Sequence, residues 1–145
     1  GWTCLSRAAV CGHTEVVDLL LRESVISLET PDRLGRTPFS LAAGGNHIAV
    51  MKRLLSTGKV NPESRDNKGR TPLLYAAQTG SIEAVRHLFT LDTLDANHLD
   101  SEGFTALSLA LHYRKAETAR YLLRHQASGK VDPDMADVGG KLPLW

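Results

Sequence analysis

Imidazole is the commonest protein ligand for zinc, and this chain carries six histidines: His13, His47, His87, His98, His112 and His125. No pair of them has zinc-finger or H-E-x-x-H spacing, and no cysteine pair accompanies them, so no metal site is expected. His13 and His47 stand 34 residues apart, each opening an apolar stretch of helical spacing. That recurrence points to helix capping rather than ligation. Asp132, Asp134 and Asp137 cluster locally, but the glycine and terminal glutamate of a calcium loop are missing, which leaves a solvated linker. Gly139-Gly140-Lys141 lacks the upstream glycine and the following Ser or Thr of a phosphate loop. No serine sits in G-x-S-x-G, and helix capping accounts for those that precede helices. No catalytic constellation and no cofactor site can be read from these residues, so the expectation is a protein that is not an enzyme.

The elements that would position such residues are bounded by composition. The chain has 145 residues, with 17 Lys+Arg against 16 Asp+Glu and a formal net charge of +1. At 42% hydrophobic and 23% charged it falls among folded globular chains, long enough for a real core. A charge near zero argues against a nucleic-acid tail or a membrane-surface protein, both of which need a strong positive excess. No apolar run approaches the roughly 20 residues that span a bilayer. The first ten residues, GWTCLSRAAV, lack the basic and apolar regions of a signal peptide. Cys4 and Cys11 cannot form a disulfide framework, and both are expected as small buried hydrophobes in a reducing, cytoplasmic compartment.

The dominant signal is an internal repeat. Gly1-Trp2-Thr3-Cys4-Leu5-Ser6 recurs 34 residues on as Gly35-Arg36-Thr37-Pro38-Phe39-Ser40, then as Gly69-Arg70-Thr71-Pro72-Leu73-Leu74 and Gly103-Phe104-Thr105-Ala106-Leu107-Ser108. Alanine pairs keep the same step at Ala8-Ala9, Ala42-Ala43 and Ala76-Ala77, followed by Ala110-Leu111. Leucine pairs do so at Leu20-Leu21, Leu54-Leu55, Leu88-Phe89 and Leu122-Leu123. A fifth copy begins at Asp137 after 37 residues, which places a three-residue insertion around 124–128.

Each copy predicts the same local structure. Threonine before proline is a helix start, the hydroxyl capping free N–H groups and the proline fitting the first helical position. Gly12, Asn46 and Gly80 recur where a tight helix–helix turn needs a left-handed residue. A second helix follows, with Val16, Val17, Leu20 and Leu21 at helical spacing. One apolar residue then persists (Ile26, Val60, Leu94, Val131) before a D-x-x-G turn that suits a hairpin tip. Arg114 occupies the left-handed turn position in the fourth copy, where that backbone costs roughly 1–2 kcal/mol.

The pattern G-x-T-P-L-x-x-A-A-x-x-G-H-x-x-V-V-x-L-L on this step resembles the ankyrin repeat, whose usual period is about 33. The resemblance implies a mainly α fold, an ankyrin-repeat solenoid of helix–turn–helix units joined by β-hairpin loops, with four copies plus a partial fifth. The chain then reads as a single domain, 1–145, with repeats at 1–31, 32–65, 66–99, 100–136 and a partial 137–145. Because the boundaries of the chain fall inside repeats, a segment of a longer array is expected. The linkers Thr57-Gly58-Lys59-Val60-Asn61-Pro62 and Gly129-Lys130-Val131-Asp132-Pro133 resemble those of ankyrin arrays in fungal NACHT-type (NLR-like) receptors. The family usually has histidine after T-P-L; here Ser6, Ser40, Leu74 and Ser108 stand instead, so its hydrogen-bond network should be weakened or rearranged.

What the resemblance implies for function is protein binding on the concave face formed by hairpin tips and first-helix ends. Carried onto this sequence, the tips contribute Trp2, Arg33, Leu34, Arg36, Asn67, Lys68, Arg70, Ser101, Glu102 and Phe104. The helix ends contribute Val10, Gly44, Gly45, Gln78, Thr79, His112 and Tyr113. Arg33, Arg36, Lys68 and Arg70 are expected side by side, a basic centre suited to an acidic protein or peptide, with no nucleic acid and no membrane as partner. Two other readings stay open: a substrate-presenting accessory segment of a multidomain enzyme, and an architectural spacer. The oligomeric state is left open by the sequence.

Overall fold

Threonine stands at the N-cap of the first helix in each of the four repeats among the described residues. Residues 1–126 are described by the structure, a computed structural model. Thr3, Thr37 and Thr105 are extended N-caps whose hydroxyls accept from the N–H three residues on, at Ser6 (3.0 Å), Ser40 (3.3 Å) and Ser108 (3.2 Å). These open α1 (Cys4–Cys11), α3 (Pro38–Gly44) and α7 (Ala106–His112). The network expected to suffer from the missing histidine is rearranged: the Ser108 hydroxyl accepts from the Thr105 N–H at 2.8 Å and closes a capping box. Thr71, which opens α5 (Pro72–Thr79), faces Leu74 instead of a serine, and its buried hydroxyl has no partner.

The second helices are α2 (Thr14–Arg22), α4 (Ile48–Ser56), α6 (Ile82–Leu88) and α8 (Ala116–Gln126). Each is reached through one left-handed residue: Gly12 (φ 72°), Asn46 (61°), Gly80 (80°) and Arg114 (57°). Arg114 therefore does carry the strained backbone that its position implies. His13 and His47 stand at N-caps, but neither side chain caps its helix. The His47 ring instead bonds the Val10 carbonyl of the preceding repeat at 3.0 Å, so the capping expectation is corrected to an inter-repeat tie.

The helix pairs stack in register, α1 on α3 on α5 on α7, with the second helices forming a parallel layer. Ala9, Ala43 and Ala77 are fully buried between first helices, as the alanine ladder requires. The core runs through Phe39, Met51, Leu54, Leu73, Leu88, Leu107 and Leu122. Val50, Ala84 and Thr118 are buried against the preceding pair, whereas Val16 at the same register is 44% exposed, because no described pair covers the leading side of α2. Cys4 and Cys11 are also exposed, against expectation. Cys4 lies on that uncovered side, in register with buried Pro38, Pro72 and Ala106; Cys11 shares its solvent-facing register with exposed Gly45, Thr79 and Tyr113. The connecting loops contain no strand among the described residues, so the hairpins are tight turns without a ladder. The partial fifth copy, its turn at 137–140 and the later part of the insertion lie outside the described residues.

Candidate functional site

An aspartate organises each turn tip. Asp32 Oδ1 accepts from the N–H groups of Leu34 (2.9 Å) and Arg36 (3.0 Å). Asp66 Oδ1 does the same for Lys68 and Arg70, both at 2.8 Å, and Asp100 Oδ1 for Glu102 and Phe104, both at 2.9 Å. The chain closes across each tip, with Asp32 N–H donating to Arg36 O at 3.0 Å and its equivalents at 3.1 and 3.0 Å. Neighbouring tips are then bonded to one another. Asn67 N–H donates to Leu34 O at 3.0 Å, Asn67 Nδ2 to Arg33 O at 3.0 Å, and Ser101 N–H to Lys68 O at 2.8 Å. Gly35 has φ 81°, and a Cβ there would strike Asn67, so only glycine permits this approach.

The second oxygen of each aspartate chooses its own partner. Asp32 Oδ2 takes Arg36 of its own turn, with Nε at 2.8 Å and Nη2 at 2.7 Å. Burial alone would raise the Asp32 pKa, but the bonds from the Arg36 side chain and the Arg36 and Leu34 amides leave it below the ordinary value. Asp66 Oδ2 accepts from the Tyr75 hydroxyl at 2.6 Å. Burial, and then that bond to a carboxylate, push the Tyr75 phenol well above its usual pKa. Arg70 reaches across to Asp100 Oδ2 of the next turn, Nε at 3.0 Å, and donates through Nη1 to Gln78 Oε1 at 2.9 Å. Burial disfavours the charged Arg70, yet Asp100 outweighs it and raises its pKa.

Of the four cations expected side by side as a basic centre, three are paired with carboxylates. Arg70 is buried, with 8% of its surface exposed, and Arg36 is half-buried on Asp32. Lys68 is exposed but lies 3.2 Å from Glu102. Arg33 is exposed at the tip. The pairing of the arginines has a plain cause: aspartates that shape the turns also supply counter-charges within their reach.

The remaining sequence-selected residues fall into two groups. Trp2, Leu34, Asn67, Gln78 and the cations share the first three repeats, with the Arg36 guanidinium 5.6 Å from the centre of the Trp2 ring. Leu34, Arg36, Asn67, Lys68, Arg70 and Gln78 line a common groove of about 330 Å³ together with Asp66 and Tyr75. Phe104, His112 and Tyr113 form an aromatic cluster in the fourth repeat, with centroids 5.6 and 5.0 Å apart in succession. Leu34 and Tyr113 are 55% and 43% exposed, which leaves apolar surface available at both ends of the face.

Sequence reasoning missed Tyr75 and Leu41, which lie one repeat apart and line a second hollow of about 330 Å³ beside Val10, Gly44 and Gly45. The available signal was a tyrosine at a register that carries leucine at Leu41 and Leu109. Among the described residues, no group of three or more His, Cys, Asp or Glu side chains could hold a metal ion. Nor is any helix there long and apolar enough to cross a membrane.

Compared with known protein families, the chain matches a model of ankyrin repeats, three copies in length, over residues 1–64 and 45–137. No curated protein matches it.

Proposed function

The chain belongs to the ankyrin-repeat family, whose members are generally protein–protein interaction modules, and on that premise we propose that it binds a protein or peptide along its turn tips and first-helix ends. One observation carries this reading: the bonded row of tips, Asn67 to Leu34 and Ser101 to Lys68, holds exposed Arg33, Leu34 and Lys68 as a fixed platform. A preorganised platform loses little entropy when it is covered. Arg33 and Lys68 supply the exposed positive charge, and an acidic partner is steered toward them more in on-rate than in affinity. The family is typically non-enzymatic, and binding without catalysis is the role taken here. Support for a cytoplasmic setting comes from the two exposed free thiols, Cys4 and Cys11. A place in an NLR-like receptor rests on the linker wording alone.

The test uses peptides selected from a random display library on the immobilised chain. A double variant, Arg33→Glu with Leu34→Asp, should weaken the selected peptides about tenfold or more and slow their association at low salt. Substitutions on the second helices, Glu15→Lys and Lys52→Glu, should leave binding unchanged. If the second-helix changes abolish binding and the tip changes do not, the recognition face has been misassigned.

A further inference from the structure

The register of the first-helix ends contains one gap. Val10, Gly44, Gln78 and His112 occupy equivalent positions, and three of the four carry side chains. The next position repeats the contrast, with Gly45 against Cys11, Thr79 and Tyr113. Gly45 has a packing reason: a Cβ there would strike the His47 ring, which bonds Val10 O. Gly44 has none. Its φ is not positive, and a Cβ would make only ordinary contacts of 3.7 Å to Tyr75 Cβ and 4.0 Å to Thr79 Cγ2. Glycine weakens a helix relative to any of the residues its neighbours use, so the fold alone does not call for it here.

What the missing side chain does is open the hollow of about 330 Å³ between α1, α3 and α5. Val10, Leu41 and Tyr75 give it apolar walls. Those walls are fixed: Leu41 is 6% exposed, the Tyr75 hydroxyl is tied to Asp66, and Ser81 Oγ holds the Gly44 carbonyl at 2.9 Å. The rim carries two donors. Arg36 uses Nε and Nη2 on Asp32, which leaves Nη1 without a partner. Gln78 must present Oε1 to the Arg70 guanidinium, so its Nε2 is turned away with no partner of its own. An apolar pocket rimmed by an arginine and an amide N–H is complementary to an apolar side chain beside a carboxylate.

We propose that the hollow over Gly44 is a specificity pocket for one apolar side chain of an extended partner segment, whose adjacent Asp or Glu is held by Arg36 Nη1 and Gln78 Nε2. This rests on the first-helix face being the recognition face, and it adds the chemistry of the partner residue that seats there. A leucine- or methionine-sized residue next to an acid would be selected over glycine or a basic residue.

The experiment is random-peptide display on the intact chain, followed by calorimetry of an enriched peptide on the wild type and on Gly44→Ala, Gly44→Val and Gly44→Gln. Valine and glutamine are the residues the neighbouring repeats use, so both variants should keep or raise the melting temperature. The enriched peptides should share one apolar position beside an acidic one. Gly44→Val and Gly44→Gln should weaken binding tenfold or more, Gly44→Ala less, and amidation of the peptide acid should weaken it on the wild type. Unchanged binding to the folded Gly44→Val variant overturns the pocket while leaving the recognition face standing. Failure to enrich any peptide overturns both. Sedimentation that shows a dimer dissociated by Gly44→Val would give the hollow to a second copy and also overturn the proposal.

Discussion

Arg70 Nε lies 3.0 Å from Asp100 Oδ2, a carboxylate 30 residues away in the next repeat, although Asp66 sits four residues before it in its own turn. Arg36 makes the opposite choice and pairs with Asp32 four residues back. The difference is Tyr75, whose hydroxyl already holds Asp66 Oδ2. Leu41, at the same register one repeat earlier, has no hydroxyl with which to compete. The side chains of Arg70 and Asp100 are 9% and 0% exposed, so this pair ties two repeats together out of water.

Removing one member of a buried pair leaves the other charge uncompensated, at a cost of about 3–5 kcal/mol. Arg70→Ala should therefore lower stability by about 3 kcal/mol in urea unfolding, with Asp100→Asn also destabilising. Arg36→Ala should cost less, because its side chain is 22% exposed against 9% for Arg70, so its charge pair is less withdrawn from water. Charge reversal at Arg70 would unfold the repeat junction before it reported on binding, so Arg33 and Lys68 are the positions for electrostatic tests. Equal losses for Arg70→Ala and Arg36→Ala would contradict this ranking.

Glu63 gives the chain a pH dependence. Burial first, and then the charge of Asp95, raise its carboxyl to about 7, against smaller opposing contributions from the Asp95 N–H and Arg65. The folded state thus holds a proton that the unfolded chain releases near the ordinary glutamate value. The stabilisation is complete below that ordinary value and is lost as pH rises through about 7. His87 acts in the opposite sense, because burial and Lys52 lower its pKa and charging it on acidification destabilises the fold. The difference between wild type and Glu63→Gln isolates the glutamate. Between pH 5 and 8 the variant should gain on the order of 2 kcal/mol relative to wild type, by urea unfolding at each pH. Parallel stability profiles for the two proteins would show that Glu63 carries no such proton.

Ala43 is fully buried between α3 and its neighbouring first helices. Ala43→Leu should overpack that contact and cost about 1–3 kcal/mol, seen as a lower urea midpoint with an unchanged slope. Leu111, at the matching register of the fourth repeat, is only half-buried, which is why leucine is accepted there. A stability equal to wild type would mean that the first helices can separate to admit the side chain.

The sequence alone determined the features that depend on near neighbours. Threonine three residues before serine made the caps at Thr3, Thr37 and Thr105, and the left-handed register at Gly12, Asn46, Gly80 and Arg114 followed from the 34-residue step. The alanine ladder was legible for the same reason, since helical spacing fixes which face a residue takes. Tertiary structure decided whatever depends on competition between residues some 30 positions apart. It sent Arg70 to Asp100 and the His47 ring to Val10, 30 and 37 residues away, and the first of these took Arg70 out of the basic centre that the tips had promised when read singly. It also decided exposure, leaving Cys4 and Val16 open where their equivalents are covered by a neighbouring pair. A repeat specifies its own backbone through local hydrogen bonds, whereas the state of each side chain is set by the repeat stacked against it.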